Sequence, residues 1–438
     1  MRRLATLILV FVAVAGAVSI WWSVTDRGGT VQGTASDRAQ VFFEKIPGSR
    51  FHSPDGTWWG YNQSKIVRYG NTVFMTVMEN SDAVGKTLST MVIYKKTGNG
   101  SWEKGAGLPT SEAGNLVVDH DGVLHAFVFQ QATPTSDLSL GKLLHYWFPR
   151  SAHGDITTKR SEVIVENTDR SEPVNRVGAA AGSDGTLGVA YGLTKNTKYR
   201  GHSEHLHVKR PGAARWTRRI AGENLGHDWY YPFVLLDGPR AHLLAVQDDF
   251  NGTGKLNTYQ KILYFGFDGR QWTRKTLGDL TNHPLAAQEK RLVEQNDLLL
   301  DSRGRLHASY KEFLDPASPG RVTRIQHFTH TPAGWRQETI PMPRHGCNWL
   351  KHVEVGGTLY YLCVGFDSVY VMNEARTRER PLNIPPAVAG IYPYLASPRT
   401  GTKPSAFVDL LLLSGSGPGY ATHTDYYVRI PADVFRNL

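Results

Sequence analysis

The sequence predicts an all-β protein, a seven-bladed β-propeller, from three observations. Short apolar runs recur in pairs around glycine-bearing tight turns, seven times along the 438 residues. The turn glycines are separated by 52, 63, 53, 66, 53 and 44 residues. Four of the units also end on a tryptophan, at Trp102, Trp216, Trp272 and Trp335. A period of about 50 residues built from short strands is typical of a propeller, in which each repeat is one four-stranded blade. The turn glycines are Gly70, Gly122, Gly185, Gly238, Gly304, Gly357 and Gly401.

The N-terminus predicts export. Arg2 and Arg3 precede an uncharged apolar stretch from Leu4 to Trp22, which is about long enough to span a bilayer with its positive flank inside. We therefore expect residues 1–25 to be a signal peptide or a membrane anchor. The small residues at positions 13–17 favour a cleaved signal peptide, whereas Trp21 and Trp22 favour a membrane anchor. In either case the folded part is periplasmic, extracellular or anchored to the outer side of the cytoplasmic membrane.

Residues 26–40 are small and polar, which predicts a linker, and the propeller is expected over residues 41–438. Within a unit the pattern is strand, tight turn, strand, loop, strand, turn, strand, as in NLVVDHDGVLHAFVF followed by KLLHYWF. The first strands are apolar on both faces, as expected for inner strands packed between blades. The seventh unit supplies only three strands, so we expect an N-terminal strand, from Val41 to Phe43, to close the ring.

The net charge indicates which classes of partner fit the chain, and the two cysteines indicate a possible disulfide. A net charge of +10 favours an anionic partner. Nucleic acid is disfavoured because the chain is expected outside the cell and its positive residues are scattered. Anionic lipid and an acidic polysaccharide or oligosaccharide both fit the charge, which by itself does not choose between them; we expect the glycan, and a monomer that meets the membrane only through an uncleaved N-terminal segment. Cys347 and Cys363 flank the Gly357 turn, where they form either a disulfide or two buried thiols.

Propeller geometry predicts where a site forms. Residues just before each first strand and just after each second strand converge on one mouth of the axis. Aromatic rings, amides and cations dominate there, as in a sugar-binding site. The first group is Gln63, Asn115, Arg176, Tyr231, Gln295, Asn348, Trp349 and Tyr394. The second group is Glu79, Gln130, Tyr191, Gln247, Asp248, Tyr310, Lys311, Glu312 and Asp367.

The histidines divide into two kinds. His125 and His307 occupy the same place in a repeated G-x-L-H pattern, which favours an architectural role. His202 and His205 lie in a long insertion, and His227 directly precedes a first strand, so these three break the repeat. Loop histidines can act as acid or base because their pKa lies near neutrality.

The units resemble the BNR-repeat propellers, and more closely the branch that contains ulvan lyases and rhamnose-glucuronate lyases. The resemblance rests on the D-x-D-G-x-L-H-x-F segment from Asp119 to Phe127, its looser copy from Asp301 to Tyr310, and HDWYYP before the fourth unit. It implies β-elimination at a uronic acid, with histidine and tyrosine as acid or base and arginine beside the carboxylate. Where such lyases often carry a histidine, this chain has Gln130 and Gln131.

These considerations predict a set of roles. Arg176 is the first candidate to neutralise a uronate carboxylate, and Lys311 the second. Tyr191, Tyr231 and His227 are the candidate acid and base. Substrate binding is assigned to Lys311, Gln295, Asn348, Trp349, Tyr394, His202 and His205. No spacing typical of metal ligands stands out, so we expect no cofactor and no catalytic metal.

Two other functions remain open. A sialidase-like glycoside hydrolase is suggested by the aspartate-box-like segment from Ser53 to Trp58, by Arg176 with Arg291, and by the carboxylates Glu79, Asp248 and Glu312. A non-catalytic propeller that binds a glycan at the cell surface suits the same charge and N-terminus.

Overall fold

The computed structural model describes residues 39–47, 60, 62–80, 89–111, 114–131, 141–167, 177–194, 202–223, 225, 228–249, 258–286, 291–318, 320–342, 346–365, 367–386, 392–416 and 422–438. Within these ranges we find no helix with the length and hydrophobicity of a membrane span. The N-terminal apolar segment and the aspartate-box-like segment from Ser53 to Trp58 lie outside the described residues.

The described strands form seven antiparallel sheets of four strands each, which confirms the predicted all-β seven-bladed propeller. Blades I to III contain β2 (Ile66–Tyr69), β3 (Thr72–Asn80), β4 (Ser89–Thr97), β5 (Glu103–Thr110), β6 (Asn115–Val118), β7 (Leu124–Gln131), β8 (Gly141–Phe148), β9 (Arg160–Asn167), β10 (Gly178–Ala181), β11 (Leu187–Thr194), β12 (His202–Lys209) and β13 (Thr217–Gly222).

Blades IV to VII continue the same order, and blade VII takes its outer strand from the N-terminal end of the described chain. Their strands are β14 (Asp228–Asp237), β15 (Arg240–Asp249), β16 (Thr258–Phe267), β17 (Trp272–Asp279), β18 (Val293–Leu300), β19 (Leu306–Glu312), β20 (Arg324–Thr331), β21 (Gly334–Ile340), β22 (Trp349–Val355), β23 (Thr358–Val364), β24 (Val369–Asn373), β25 (Glu379–Pro381), β26 (Tyr392–Leu395), β27 (Phe407–Ser416), β28 (Thr422–Pro431) and β1 (Phe42–Lys45). A single helical turn, α1 (Ala432–Arg436), follows β28.

The ring closes through β1, which pairs antiparallel with β28 from Phe42 opposite Arg429 to Lys45 opposite Tyr426. The closing strand lies about where the sequence predicts it, beginning one residue later than the predicted Val41 and extending to Lys45. The predicted turn glycines lie in the connections between the first and second strands of the seven blades. All seven adopt positive φ, the backbone region that favours glycine in tight turns.

The core lies between blades. Val117 and Phe127 of blade II, for example, belong to one apolar cluster with Ala179 and Val189 of blade III. Burying one such valine or phenylalanine stabilises the fold by about 1.5–3 kcal/mol relative to leaving it exposed. Blade III carries an inner strand of small residues, and a Cβ on Gly178 would lie 1.8 Å from the Pro232 carbonyl oxygen of blade IV. The Gly-Ala-Ala-Ala strand thus permits this close approach.

Two segments of the chain extend across the axis, a feature that the repeat pattern does not predict. Asn62, before β2 of blade I, donates from its side-chain amide to the Pro232 carbonyl of blade IV (3.0 Å). The connection after β26 of blade VII reaches blade III, where the Ala181 amide donates to the Arg399 carbonyl (3.0 Å). Arg399 Nη2 donates to the Asn62 carbonyl (3.1 Å) and so joins the two segments. The axis is therefore occupied by the protein's own polar groups.

Gly401 follows in the same connection and has a φ of +86°, with its hypothetical Cβ only 1.6 Å from the Val118 carbonyl oxygen of blade II. Any larger residue would push this connection away from the inner strand of blade II, so glycine is required here by both conformation and space.

A polar relay crosses all of blade II. Asp119 Oδ2 lies 3.2 Å from His125 Nε2, His125 Nδ1 lies 2.9 Å from His145 Nε2, and His145 Nδ1 lies 2.8 Å from Glu162 Oε1. Lys209 of blade III completes the relay by donating to Glu162 at 2.6 Å. The relay therefore ties blade II to blade III.

Blade V repeats the relay with Asp301, His307, His327 and Glu338. Asp301 Oδ2 lies 3.2 Å from His307 Nε2, His307 Nδ1 lies 3.1 Å from His327 Nε2, and His327 Nδ1 lies 2.8 Å from Glu338 Oε1. Here Arg376 of blade VI takes the place of the lysine and lies 2.9 Å from Glu338. His125 and His307 are both buried in these relays. This position agrees with the architectural role predicted for them.

Cys347 and Cys363 form a disulfide, which is the first of the two predicted alternatives. Cys363 lies on β23, whereas Cys347 precedes β22 by two residues. The bond therefore fixes the entry of the chain into the inner strand of blade VI.

We predict that the relays make the protein acid-labile. Burial lowers the pKa of His145 and of His307 to about 4, from 6.5 in the unfolded chain. Because the folded state binds fewer protons than the unfolded state between these values, the free energy of unfolding falls as the pH decreases from about 6.5 to about 4. Each histidine contributes a slope of about 1 kcal/mol per pH unit in this window.

The substitution His145→Phe should reduce the pH dependence of the free energy of unfolding, measured by denaturant unfolding between pH 5 and 6.5. We expect this reduction even though the variant is less stable than wild type at pH 7. The matched control is His153→Phe, since His153 is exposed and should leave the slope unchanged. Equal slopes in wild type and His145→Phe would contradict the assignment.

Candidate functional site

The inner strands of blades IV to VII begin at one mouth of the axis, and a contiguous group of side chains lies there. We call this group the mouth cluster. It includes the predicted residues Tyr231, Gln295, Lys311, Trp349 and Tyr394, together with Arg291. It adds three residues that the sequence analysis did not select: Tyr259, Glu294 and Tyr392.

Tyr231 occupies a strained position at the start of the inner strand of blade IV. Its φ is +59°, which is rare for a bulky residue, and it lies at an irregularity in the pairing of β14 with β15. Gln295 of blade V donates from Nε2 to the Tyr231 carbonyl (2.9 Å) and helps to hold this conformation. The Tyr231 ring meets Tyr259 edge-on at 6.3 Å. Strain of this kind is commonly retained at functional sites.

Lys311 is fully engaged within the cluster. Its ammonium lies 3.0 Å from Glu294 and donates to the Asn348 carbonyl at 3.1 Å. It also lies 3.1 Å from the centre of the Trp349 ring, a cation–π contact. Burial lowers the pKa of Lys311 to about 8, while Glu294 opposes this shift. Lys311 thus contacts Glu294, Asn348 and Trp349, and the substrate contact predicted for it stays a prediction.

Tyr394 lies on β26 of blade VII, and Lys65 Nζ donates to its hydroxyl at 3.1 Å. Burial raises the pKa of Tyr394 well above 10, and the neighbouring Tyr392, Asp425 and Tyr231 raise it further. Burial also raises the pKa of Asp425 to about 7. Trp349 and Tyr392 complete the connection to blade VI, with ring centres 5.1 Å apart.

Arg291 provides an exposed positive charge in the mouth cluster. Its side chain retains 41% of its accessible surface, lies 3.4 Å from Glu294, and rests 4.7 Å from the centre of the Tyr259 ring. A guanidinium held in this way presents a planar set of donors that matches a carboxylate. The sequence analysis considered Arg291 only for a sialidase-like site.

The remaining predicted residues lie elsewhere or outside the described residues. Arg176 and His227 are outside the described residues, and the side chain of His202 is also not described. Asn348 contributes its backbone carbonyl, which accepts from Lys311.

His205 was expected in a loop, but it is a buried strand residue of β12 stacked on Tyr191, with ring centres 5.7 Å apart. The last residues of the insertion form a strand that pairs with β11 on one side and β13 on the other, and residues 203–207 are all buried there. Tyr191 is 1% exposed, within the apolar cluster between blades II and III, and its hydroxyl lies 2.8 Å from His207 Nε2. The structure therefore places both residues between strands, in the interior of the blades.

The carboxylates considered for a hydrolase have separate partners. Glu79 of blade I accepts from Tyr94 (2.9 Å) and Lys104 (2.7 Å). Glu312 of blade V accepts from Gln326 (3.2 Å). The side chain of Asp248 is not described. The geometry provides no facing pair between Glu79 and Glu312, which lie on blades I and V.

One group of described residues has the composition of a metal site: Asp119, His120 and Asp121. It lies at the turn between β6 and β7, on the side of the ring opposite the mouth cluster. Asp119 already accepts from the backbone amides of Asp121 (3.0 Å) and Val123 (2.8 Å), and it contacts His125. Its carboxylate is thus used to shape the turn.

Fold and site define this chain as a seven-bladed propeller with a polar, aromatic mouth and an axis closed by its own residues. It matches no known family profile and no curated protein. Among solved structures it is similar to the polysaccharide lyase Uly1, with a TM-score of 0.56 and 11% identity, over 85% of this chain and 90% of that one.

A sialidase of Trypanosoma rangeli also matches, with a TM-score of 0.46 and 11% identity over 91% of this chain and 58% of that one. An α-L-arabinanase of Penicillium chrysogenum matches with a TM-score of 0.44 and 11% identity, over 73% of this chain and 94% of that one. What the chain shares with Uly1 at this identity is the fold.

We predict strong coupling between Lys311 and Glu294. Replacing Lys311→Met leaves the buried Glu294 with only the partly exposed Arg291, so the free energy of unfolding should fall by about 3 kcal/mol. The double variant Lys311→Met with Glu294→Gln removes both charges and should recover part of this loss. A double-mutant cycle by denaturant unfolding measures the coupling. Additive effects of the two substitutions would contradict the buried pair.

Proposed function

We propose that this protein is an exported polysaccharide lyase that cleaves a uronate-containing glycan by β-elimination at the mouth cluster. The observation that carries the proposal is Arg291, an exposed guanidinium that rests on the Tyr259 ring, which in turn meets the ring of the strained Tyr231. Arg291 offers an exposed partner for a carboxylate, and the two tyrosines beside it are buried. The similarity of the fold to a polysaccharide lyase supports the same reading, as does the net charge of +10.

The reaction explains why a cation is needed. Removal of the proton at C5 leaves negative charge that is shared with the uronate carboxylate, so an adjacent cation stabilises the intermediate. The electron pair of the C5–H bond then forms the C4–C5 double bond, and the C4–O4 bond breaks. One protein group takes the C5 proton, and a second group or water gives a proton to the departing O4.

The mouth supplies candidates for each role. Arg291 is the proposed carboxylate partner, with Arg176, which precedes the inner strand of blade III in the sequence, as a second candidate cation. Tyr231 and His227 are the proposed acid and base, since Tyr231 lies near the start of the inner strand of blade IV and His227 directly precedes that strand in the sequence. Lys311 and Gln295 act as positioning residues: Lys311 orients Trp349, and Gln295 holds the Tyr231 backbone.

The N-terminal residues complete the proposal. Residues 1–25 direct export as a signal peptide or a membrane anchor, and residues 26–40 connect them to the propeller. Residue 39 lies beside blades VI and VII, where its amide donates to the Pro381 carbonyl (3.0 Å). An uncleaved anchor would therefore hold the propeller by the outer edge of the ring, away from the mouth cluster.

A non-catalytic glycan-binding propeller is the second candidate. It is favoured by the mutual satisfaction of Lys311 and Glu294, because groups that neutralise each other are suited to positioning rather than to proton transfer. A glycan retained without chemical change would distinguish this function from lyase activity.

We predict that Arg291→Ala abolishes elimination on uronate-containing glycans. The assay follows the ultraviolet absorbance of the conjugated, unsaturated uronate product. Because Arg291 is partly exposed and its ion pair with Glu294 is long, the melting temperature should change little. The matched control is Arg270→Ala, an exposed arginine in the turn between β16 and β17 at the opposite end of the blade, which should retain wild-type kcat/KM. A fully active Arg291→Ala variant would remove Arg291 from the mechanism.

We predict that Tyr231→Phe lowers kcat by at least about 100-fold if the phenol takes part in proton transfer, while KM changes little. The control Tyr264→Phe removes a hydroxyl that contacts His242 at 2.6 Å within blade IV, away from the mouth. It should affect stability and leave kcat unchanged. Loss of binding without loss of kcat in Tyr231→Phe would assign Tyr231 to substrate contact alone.

A further inference from the structure

A second polar group lies one to two residues deeper along the inner strands than the mouth cluster. We call it the axial cluster: Asn296 and Asp297 of blade V, Lys351 of blade VI and Arg399 of blade VII. It surrounds Phe233 of blade IV, whose ring centre lies 5.5 Å from Lys351 Nζ and 5.1 Å from the Arg399 guanidinium. All four polar residues are buried, with 0–7% of their surface exposed. A glycan at the mouth would not reach them.

The axial cluster holds more positive than negative charge. Lys351 and Arg399 carry two cations, and Asp297 is the carboxylate that acts on both of them. Glu294, the next acid along β18, is already paired with Lys311 at 3.0 Å. Burial raises the pKa of Asp297, and the neighbouring Lys351 and Arg399 oppose this shift. An uncompensated buried cation is costly, so a counter-charge is expected nearby.

The axial cluster also contains hydrogen-bond donors that have no partner among the described residues. Lys351 Nζ donates to the Asn296 carbonyl (2.8 Å), which uses one of its three protons. The side-chain amide of Asn296 has neither a donor nor an acceptor partner within the described part of the chain, although it is fully buried. The Nε of Arg399 is also unpaired there. Buried amides and guanidinium groups are rarely left in this state.

A bulge in β18 produces this arrangement. In the pairing of β18 with β19, Gln295 lies opposite Tyr310 and Asp297 lies opposite Ser309, so Asn296 has no partner residue on β19. The extra residue redirects one side chain out of the regular alternation, which is a common use of bulges at binding sites. The strand thereby places an amide beside the carbonyl that holds Lys351.

We propose that the axis binds a small inorganic anion of the chloride type, held by Lys351 Nζ and the Asn296 amide, with Arg399 as the second cation. Such an ion supplies the missing negative charge and satisfies the unpaired donors in one step. It is structural, because it joins blades V, VI and VII around the axis. The proposal is independent of the glycan chemistry at the mouth.

The first test measures the melting temperature of the full chain while chloride replaces gluconate at constant ionic strength. Wild type should show a saturable rise of about 3 °C. Lys351→Met should lose this rise. Asn296→Asp supplies a fixed negative charge, so this variant should also lose the rise, while its melting temperature without chloride equals or exceeds that of wild type. The matched control is Lys96→Met, which removes a buried lysine of blade I that is paired with Glu44 of blade VII and should retain the rise.

The proposal is overturned if wild type shows no saturable rise, or if the rise is the same in Lys351→Met and Asn296→Asp. Should either variant fail to fold, crystals of wild type grown in bromide decide the matter. An anomalous peak within hydrogen-bond distance of Lys351 Nζ and Asn296 Nδ2 supports the proposal, and water alone at this position refutes it.

Discussion

The packing of one blade against the next is the constraint on which the rest of this structure depends. Blade II carries apolar residues on both faces, so it can bury Val117 and Phe127 only against its neighbours. If the row of blades did not close, the free faces of its first and last blades would expose such residues to water. The blades therefore form a closed ring. Pairing of β1 with β28 meets that requirement with only four residues, and it also covers an open sheet edge.

Closure also determines where polar groups can be placed. Because the broad faces of the blades are occupied by apolar contacts, the polar side chains of the inner strands collect at the axis and at its mouth. The axis is then filled in part by Asn62 and Arg399, which come from blades I and VII and meet across it. The mouth above this point is therefore closed from below, so it is a surface and not the entrance of a tunnel.

The sequence could predict the fold and the composition of the mouth, because both follow from local signals and symmetry. Turn glycines such as Gly122 mark each hairpin, and the start of each inner strand follows from counting back, which is how Tyr231, Gln295 and Trp349 were found. Contacts between distant residues leave no such signal. Arg399 and Asn62 are 337 residues apart, and the pairing of Lys311 with Trp349 depends on how two blades approach. His205 was misplaced because a strand and a polar loop are hard to distinguish when the strand is rich in histidine.

Repetition itself separates architectural residues from functional candidates. In blades II and V the same four positions form an Asp-His-His-Glu relay, and in blade IV Tyr264 stands where the second histidine would be, 2.6 Å from His242. Side chains that recur at the same strand position in several blades have a structural role that those blades share, which is to satisfy polar atoms between sheets. Arg291, Tyr231 and Asn296 have no such counterparts among the described residues, and two of them lie at irregularities of backbone pairing. Departures from the repeat are costly to the fold, and strained positions of this kind cluster at functional sites, which is why these residues are the candidates on which the proposals above are based.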